Sequence, residues 1–274
     1  MVKGEQIEEF KKYQVLISDE SHTLPAAQFE YFCHTVVGHC PYRWFLSATQ
    51  ERNDGKDLLL EGIIGHRVYE MTIQEGIAKG YLAKLSTLVF DVESTSTVAT
   101  PNSVQMNQAH VYDNQQIVKI IQSLVSNAMD NKMPVLILID EHDQEKLLKE
   151  ALGNIYEYAR GGSDTNKICQ NFNDGKIFCV VGTSAVSTGT NFKPVQLTIS
   201  WQGAKAGTKV KQGAIGRSTR MDKESGKTSC RIVDFRVKNV PMMARHATAR
   251  IKYYKDVGPV SIVDVATGDV KTYG

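Results

Sequence analysis

Short apolar runs alternate with amphipathic segments along most of the 274-residue chain. Apolar runs bounded by polar and glycine residues are typical of strands buried in a sheet. The runs predicted to be strands are 13–17, 44–46, 85–92, 134–139, 177–181, 195–199 and 229–235. Because helical segments separate them, the pattern predicts an α/β fold in which helices cover both faces of a parallel sheet.

Apolar spacing and capping residues mark the helical segments. Residues 117–128 carry apolar side chains at i, i+3, i+4 and i+7, and Asp113 is placed to cap that helix. Thr72 and Glu75 have the spacing of a capping box, which predicts a short helix. Further helices are expected over 24–37, 147–155 and 240–254.

Composition and charge narrow the possible function classes. With 42% hydrophobic and 23% charged residues, the chain has the profile of a globular protein and not of a disordered or fibrous one. It contains no run of eighteen apolar residues, so we expect no membrane span. Its five cysteines, an odd number, favour reduced thiols in the cytoplasm. The net charge of +2 means that nucleic-acid binding would depend on a local basic surface.

An acidic pair follows the first predicted strand. Asp19 and Glu20 come directly after the run 15–18, where a parallel sheet presents side chains at its carboxyl edge. Such a pair can hold Mg²⁺ and orient or deprotonate an attacking water during nucleotide hydrolysis, or it can be a solvated acidic loop. Asp140 and Glu141 follow another strand in the same way, so the local pattern does not choose between the two pairs.

The order of the segments after Asp19 distinguishes the two pairs. These segments are Ser47-Ala48-Thr49, the strand 135–139, residues 180–191 (VVGTSAVSTGTN) and residues 212–220 (QGAIGRSTR). The ordered set resembles motifs II, III, IV, V and VI of the superfamily 2 helicases, the DEAD/DEAH-like translocases. Residues 57–82 resemble the phage recombination-type members and their restriction-enzyme relatives. The resemblance implies a RecA-like (P-loop NTPase-type) fold and an ATP-dependent DNA helicase or translocase that acts in DNA repair or recombination.

The resemblance implies a role in ATP hydrolysis for each matching residue. Asp19 would bind Mg²⁺, and Glu20 would activate the water. Arg217 and Arg220 would be arginine fingers, which offset the negative charge that spreads over the transferred phosphoryl oxygens. The alternative for the two arginines is a basic helix face. The family usually has Gln at the position where this chain has Gly213.

Other matching residues would contact the nucleotide or the nucleic acid. The residues expected beside the nucleotide are Gly189, Asn191 and Gly216. The residues expected on the nucleic-acid backbone are Thr183 and Ser184. The residues expected to couple the nucleotide state to domain movement are His22, Ser47, Ala48 and Thr49. Many relatives have Asp where this chain has Asn191. The expected nucleic-acid partner is single-stranded or branched DNA.

The family binds phosphate through a P-loop upstream of the acidic pair. Its form is G-x-x-x-x-G-K-[ST], and no such sequence precedes Asp19. The chain does contain Gly226-Lys227-Thr228, but the first glycine of the loop would fall at Met221, and a strand follows instead of a helix. We therefore predict a turn at 226–228.

The expected organisation is that of a helicase fragment. The predicted domains are residues 1–83, the trailing part of a first RecA-like domain, residues 84–250, a complete second one, and residues 251–274, a C-terminal tail. The second contains a polar stretch, 93–110, predicted to be a linker or long loop. ATP hydrolysis would need a P-loop segment from a longer parent chain or a partner chain. The expected location of the protein is the cytoplasm, or the host cytoplasm if the protein is phage-encoded. The alternative is a non-catalytic remnant that binds nucleic acid or a partner.

Three weaker signals remain. Cys33-His34 and His39-Cys40 have a symmetric spacing that suggests zinc, but the segment spans a predicted helix end and the turn before Pro41 and lacks a C-x₂-C pair, which favours a structural role. Residues 201–211 form either a basic loop near nucleic acid or a solvated loop. Residues 261–273 are predicted to form a terminal hairpin that turns at Thr267-Gly268-Asp269.

Overall fold

The structure is a computed structural model that describes residues 8–10, 12–21, 40–47, 61–62, 64–160, 163–183, 190–203 and 209–274. The chain forms two compact units, residues 1–70 and 71–274. The helix expected over 24–37 lies outside the described residues, as do Cys33, His34 and His39 of the possible zinc site. Within the described part of the chain, no helix is both long and apolar enough to cross a membrane.

The described part of the first unit contains two parallel strands. Strand β1 is Val15–Ser18 and strand β2 is Tyr42–Phe45, paired in register from Val15 with Tyr42 to Ser18 with Phe45. Both predicted strands are thereby confirmed. Their apolar side chains are largely exposed, with Ile17 at 66% and Trp44 at 60% of full exposure.

The second unit is built on a large sheet. Its described strands are β3 Lys84–Val92, β4 Val135–Ile139, β5 Glu157–Ala159, β6 Cys179–Gly182, β7 Leu197–Trp201, β8 Ser229–Val237, β9 Val260–Asp264 and β10 Val270–Tyr273. They lie in the order β10-β9-β3-β8-β7-β4-β6-β5, and every neighbouring pair is parallel except β9 and β10. The predicted α/β fold with a parallel sheet is confirmed.

Helices connect these strands. The described helices of this unit are α1 Ile73–Ala78, α2 Ser103–Asn107, α3 Gln115–Asp130, α4 His142–Leu152, α5 Ser163–Asn173, α6 Gly216–Ser218 and α7 Pro241–Lys255. The capping box of α1 is confirmed, because Glu75 N donates to Thr72 Oγ1 (3.1 Å) and Thr72 N donates to Glu75 Oε2 (2.8 Å). The cap predicted at Asp113 is wrong by one residue: the Asn114 side chain accepts from the first free amides of α3.

Strand β4 shows why helices lie on both faces of the sheet. Val135, Ile137 and Ile139 point to one side, where they pack with α3 and α4. Leu136 and Leu138 point to the other side, where they pack with α5 and the end of α7. All five side chains are buried, which is why the strand is a continuous apolar run in the sequence.

The stretch 93–110 is only partly the loop that its composition predicted. Residues 103–112 form α2 and a π-helical turn, Gln108–Tyr112. His110, which is buried, lies within hydrogen-bond distance of Ser94 Oγ (2.8 Å) and Val98 O (2.7 Å) and so ties the preceding residues to this helix. Polar side chains stabilise the segment by bonding to one another, and such bonding leaves no apolar period in the sequence.

The C-terminal residues complete the sheet. The predicted hairpin is confirmed as β9 and β10, with Gly268 at φ +77° in its turn, a conformation that favours glycine. Strand β9 also pairs with β3, so residues 251–274 extend the sheet of the second unit at its edge. Helix α1, which precedes residue 84, belongs to the same unit.

A buried ion pair fixes α7 against strand β8. The Arg250 guanidinium donates from Nε to Asp234 Oδ2 (2.8 Å) and from Nη2 to Asp234 Oδ1 (2.9 Å), and Tyr254 Oη donates to Oδ2 (2.9 Å). Arg250 is 3% exposed and Asp234 is 1% exposed. Burial alone would lower the pKa of Arg250, but the adjacent Asp234 carboxylate raises it above its ordinary value. The Asp234 carboxylate therefore favours the charged form of the buried guanidinium.

Replacing Asp234 by Ala should destabilise the second unit by about 3–5 kcal/mol, because Arg250 would remain charged and buried without its carboxylate. The double substitution Asp234→Leu/Arg250→Met should cost less, since it leaves no buried charge. Urea denaturation followed by circular dichroism measures both. Asp130→Ala, at an exposed position, is the control; equal midpoints for Asp234→Ala and the wild type would contradict the assignment.

Candidate functional site

In the first unit, the predicted acidic pair lies at the carboxyl end of β1. Leu46 N donates to Ser18 O (2.8 Å) and Ser21 N donates to Leu46 O (2.9 Å), so the residues after β1 run beside those after β2. Asp19 and Glu20 therefore lie beside Leu46 and Ser47, the residues that follow β2. The predicted coupling residues His22, Ala48 and Thr49 lie outside the described residues.

The acidic pair is exposed to solvent and offers carboxylate oxygens, the ligands that a hydrated cation such as Mg²⁺ binds. Both carboxylates are exposed, Glu20 N donates to Asp19 Oδ1 (2.8 Å), and Glu20 has φ +50°, an uncommon conformation for a residue other than glycine. Three metal-ligating side chains do not converge anywhere among the described residues. Mg²⁺ needs only one or two carboxylates when water and phosphate oxygens complete its shell, so Asp19 fits it.

In the second unit, the structure brings together two of the predicted motifs. Arg217 Nη1 donates to Thr190 O (2.6 Å) and Thr190 Oγ1 (3.1 Å). Arg220 Nη1 donates to the same Thr190 O (3.1 Å) and to Asn191 Oδ1 (2.6 Å). Gly216 begins α6, the short helix that carries Arg217. One backbone carbonyl thus joins the arginine segment to the Thr190-Asn191 segment.

The two predicted arginine fingers differ in their surroundings. Arg217 is 1% exposed, and burial, followed by the charge of Arg220, lowers its pKa to about 10. Its Nε has no hydrogen-bond partner among the described residues. Arg220 is partly exposed and lies against Asn191. Arg217 is therefore held inside the unit, whereas Arg220 lies at its surface.

Asn173 is part of this arrangement, although no sequence pattern indicated it. From the end of α5, its Nδ2 donates to Asn191 O (2.8 Å) and its Oδ1 accepts from Lys193 N (3.0 Å). The side chain therefore fixes both ends of the turn that presents Asn191. A polar cavity of about 380 Å³ opens beside it, lined in part by Thr190 and Asp222. An asparagine at a helix end has no distinctive spacing, so only the fold reveals its role.

The second acidic pair has a structural role. Asp140 Oδ2 accepts from Tyr112 Oη (2.9 Å) and Gly203 N (2.9 Å), which ties β4 to the π-helical turn and to the end of β7. Glu141 caps α4 together with Gln144. A side chain at 203 would lie 2.5 Å from Asn107, so this close approach needs glycine.

The remaining predictions have mixed outcomes. Thr183 follows β6 and is half-buried, whereas Ser184 and Gly189 lie outside the described residues, as do 204–208 of the basic loop. The turn predicted at 226–228 is confirmed: Gly226 has φ +69°, and Lys227 is buried with Nζ donating to Lys193 O (3.3 Å). Of the possible zinc ligands, Cys40 is described, and its Sγ donates to Tyr13 O (3.0 Å).

Removal of the Asn173 side chain should destabilise the second unit by about 1–3 kcal/mol, because two hydrogen bonds to the Asn191 turn are lost. Asn171→Ala, two positions earlier on the same helix, is the matched control and should stay within about 0.5 kcal/mol of the wild type. Urea denaturation compares the two variants. Equal stability of Asn173→Ala and Asn171→Ala would show that Asn173 does not hold the turn.

Comparisons with known proteins give partial sequence matches. No protein-family model matches the chain. Over 73 residues it is 38% identical to the DNA 3'-5' translocase XPB2 of Sulfurisphaera tokodaii, a match that covers 27% of this chain and 16% of that protein. Over 86 residues it is 36% identical to the general transcription and DNA repair factor IIH helicase/translocase subunit XPB of Danio rerio, covering 30% of this chain and 11% of that one. The match therefore spans less than a fifth of either relative.

Solved structures match most of the chain. A fragment assigned to the HsdR subunit of a type I restriction enzyme from Vibrio vulnificus has a TM-score of 0.67 at 16% identity, over 96% of this chain and 51% of that one. Dbp5 of S. cerevisiae, bound to RNA and ADP BeF3, has a TM-score of 0.60 at 12% identity, over 92% and 59%. Lhr of Mycobacterium smegmatis, bound to ssDNA and AMP-PNP, has a TM-score of 0.53 at 18% identity, over 100% of this chain and 33% of that one. The chain therefore has the α/β fold of the RecA-like domains found in helicases.

Proposed function

We propose that this chain is the C-terminal portion of an ATP-dependent DNA helicase or translocase of superfamily 2. The observation that carries the proposal is the Thr190 carbonyl that accepts from both Arg217 and Arg220, because it orders two motif segments that bind nucleotide in this family. The 38% identity to the translocase XPB2 over 73 residues supports it. The resemblance of residues 57–82 to phage recombination-type enzymes belongs to the same proposal, as does a cytoplasmic location.

In the proposed reaction, Asp19 holds Mg²⁺, which when bound offsets the charge of the ATP phosphates. Glu20 orients the attacking water and accepts its proton as the water oxygen bonds to the γ-phosphorus and the bond to ADP breaks. Arg220 offsets the charge that develops on the transferred oxygens, which can contribute about 10³–10⁵ in rate. Arg217, held on Thr190, positions the segment that carries Arg220.

The remaining matching residues serve binding and coupling in this proposal. Gly189, Asn191 and Gly216 lie beside the nucleotide, and Thr183 and Ser184 contact the backbone of single-stranded or branched DNA. Ser47 lies next to the acidic pair, which suits a residue that transmits the nucleotide state, together with His22, Ala48 and Thr49. The net charge of the chain is only +2, so DNA binding in this proposal depends on local contacts of this kind and not on overall charge.

Phosphate binding in the proposed enzyme comes from a P-loop outside this sequence, on a longer parent chain or on a partner chain. The exposed apolar side chains of β1 and β2 support this part of the proposal, because strands of RecA-like sheets are normally covered on both faces. The same exposure favours the second candidate function, a non-catalytic remnant that binds nucleic acid or a partner protein.

ATP hydrolysis distinguishes the two candidates. The purified chain alone should release phosphate from ATP slowly or not at all, with or without single-stranded DNA. A P-loop-bearing polypeptide, encoded beside this chain or taken from the first RecA-like domain of a relative, should restore DNA-stimulated release. Glu20→Gln and Arg220→Ala should each then lower the rate by about 10³-fold or more. Arg231→Ala, an exposed arginine on β8, is the matched control and should leave it unchanged.

Two outcomes would contradict parts of the proposal. DNA-stimulated hydrolysis by the chain alone, abolished by Glu20→Gln, would overturn the need for an external P-loop and keep the enzyme. DNA binding without hydrolysis in any combination would favour the non-catalytic remnant.

A further inference from the structure

The register of the sheet places Arg160 beside the predicted DNA contact Thr183. Strands β5 and β6 are parallel and pair Ala159 with Gly182. The residues that follow them, Arg160 and Thr183, therefore leave the carboxyl edge of the sheet from the same level of neighbouring strands, about 4.8 Å apart at the backbone. Nothing in the motif series pointed to residue 160.

Arg160 is held by aromatic contacts. Its guanidinium carbon lies 5.0 Å from the centre of the Tyr158 ring, a cation–π arrangement. The Tyr158 hydroxyl is in turn hydrogen-bonded to His142 Nδ1, and the two rings meet edge to face with centres 5.9 Å apart. His142 is the first residue of α4 and follows β4, which pairs with the other side of β6. Arg160 and His142 are exposed, and Tyr158 is half-buried.

Arg160 differs from two buried or half-buried arginines of this unit, which are paired with carboxylates. Arg236 is paired with Asp91, and Arg250 is paired with Asp234. Among the described residues, no carboxylate forms an ion pair with Arg160. A guanidinium stacked on a ring keeps its in-plane N–H groups directed outward, and these match the geometry of a phosphate.

We propose that Arg160 binds a backbone phosphate of single-stranded nucleic acid beside Thr183, and that Tyr158 and His142 are positioning residues that hold its guanidinium. The proposal rests on the nucleic-acid binding in the proposed function and names a contact which that function does not require. The phosphodiester is the chemical group recognised, so the contact is independent of base sequence.

Fluorescence anisotropy with a labelled oligothymidylate, measured with the full chain over a series of salt concentrations, tests this contact. Arg160→Gln should weaken binding about tenfold and lower the slope of log K against log salt by about 0.7, the value for one phosphate contact on a single strand. Arg160→Glu should weaken it further. Lys149→Gln is the matched control, because Lys149 also lies over a tyrosine ring, that of Tyr156, at 5.8 Å. It is seven residues along α4 from His142, about 10 Å away, and should leave affinity and slope unchanged.

The positioning role of Tyr158 is tested by substitutions that alter its ring or its hydroxyl, measured in the same binding assay. Tyr158→Phe keeps the ring but loses the hydrogen bond to His142, so it should weaken binding slightly, whereas Tyr158→Leu, which removes the ring, should weaken it more. Combined with Arg160→Gln, Tyr158→Leu should add no further loss, because both changes remove one contact. Additive losses would overturn the positioning role.

The outcomes separate this inference from the proposed function. If the wild type binds no oligonucleotide even at low salt, nucleic-acid binding itself fails. If the wild type binds and Arg160→Gln matches it in both affinity and slope, only the Arg160 contact fails. A ribo-oligomer of the same length should show the same fractional loss, and a loss confined to one sugar would overturn a phosphate contact.

Discussion

The buried pair of Arg250 and Asp234 is the interaction on which the second unit depends. Two opposite charges deep in a protein are tolerated only when each satisfies the other, so the pair admits one placement of α7 against β8. Helix α7 then packs against the π-helical turn Lys209–Ile215, which leads directly into α6. Arg217 and Arg220 therefore depend for their position on a buried charge pair that contacts neither of them and lies on the same face of the sheet.

The Thr190 carbonyl joins the two arginines to the Thr190-Asn191 segment and so forms the candidate site. A carbonyl oxygen has two lone pairs, and here two guanidiniums of unequal burial share it. Arg217 loses solvent on entering the interior and gains only neutral partners among the described residues, which is why its pKa falls. Arg220 keeps contact with solvent. The same motif thus contains one buried arginine bonded to the backbone and one that is partly exposed.

Much of the fold was predictable because the sheet is parallel and covered on both faces. Strands in that setting are continuous apolar runs, so β3, β4, β6, β7 and β8 were found within a few residues of their bounds. The polar segment 93–112 was not, because its helical part is stabilised by hydrogen bonds such as those of His110, which have no sequence period. Strand β5 was missed because three residues are too short a run to stand out.

The sequence by itself determined most of the strands, the parallel pairing of the main sheet and the order of the motifs, since period, capping and motif order are properties of neighbouring residues. Only the tertiary structure decided what each candidate touches. It distinguished Asp140, bonded to Tyr112 and Gly203, from the exposed Asp19, although their local sequences have the same form. It also brought Asn173 to the Asn191 turn and Arg160 to the level of Thr183. The physical reason is that hydrogen bonding, burial and strand register join residues far apart in the chain, and local pattern carries no information about those distances.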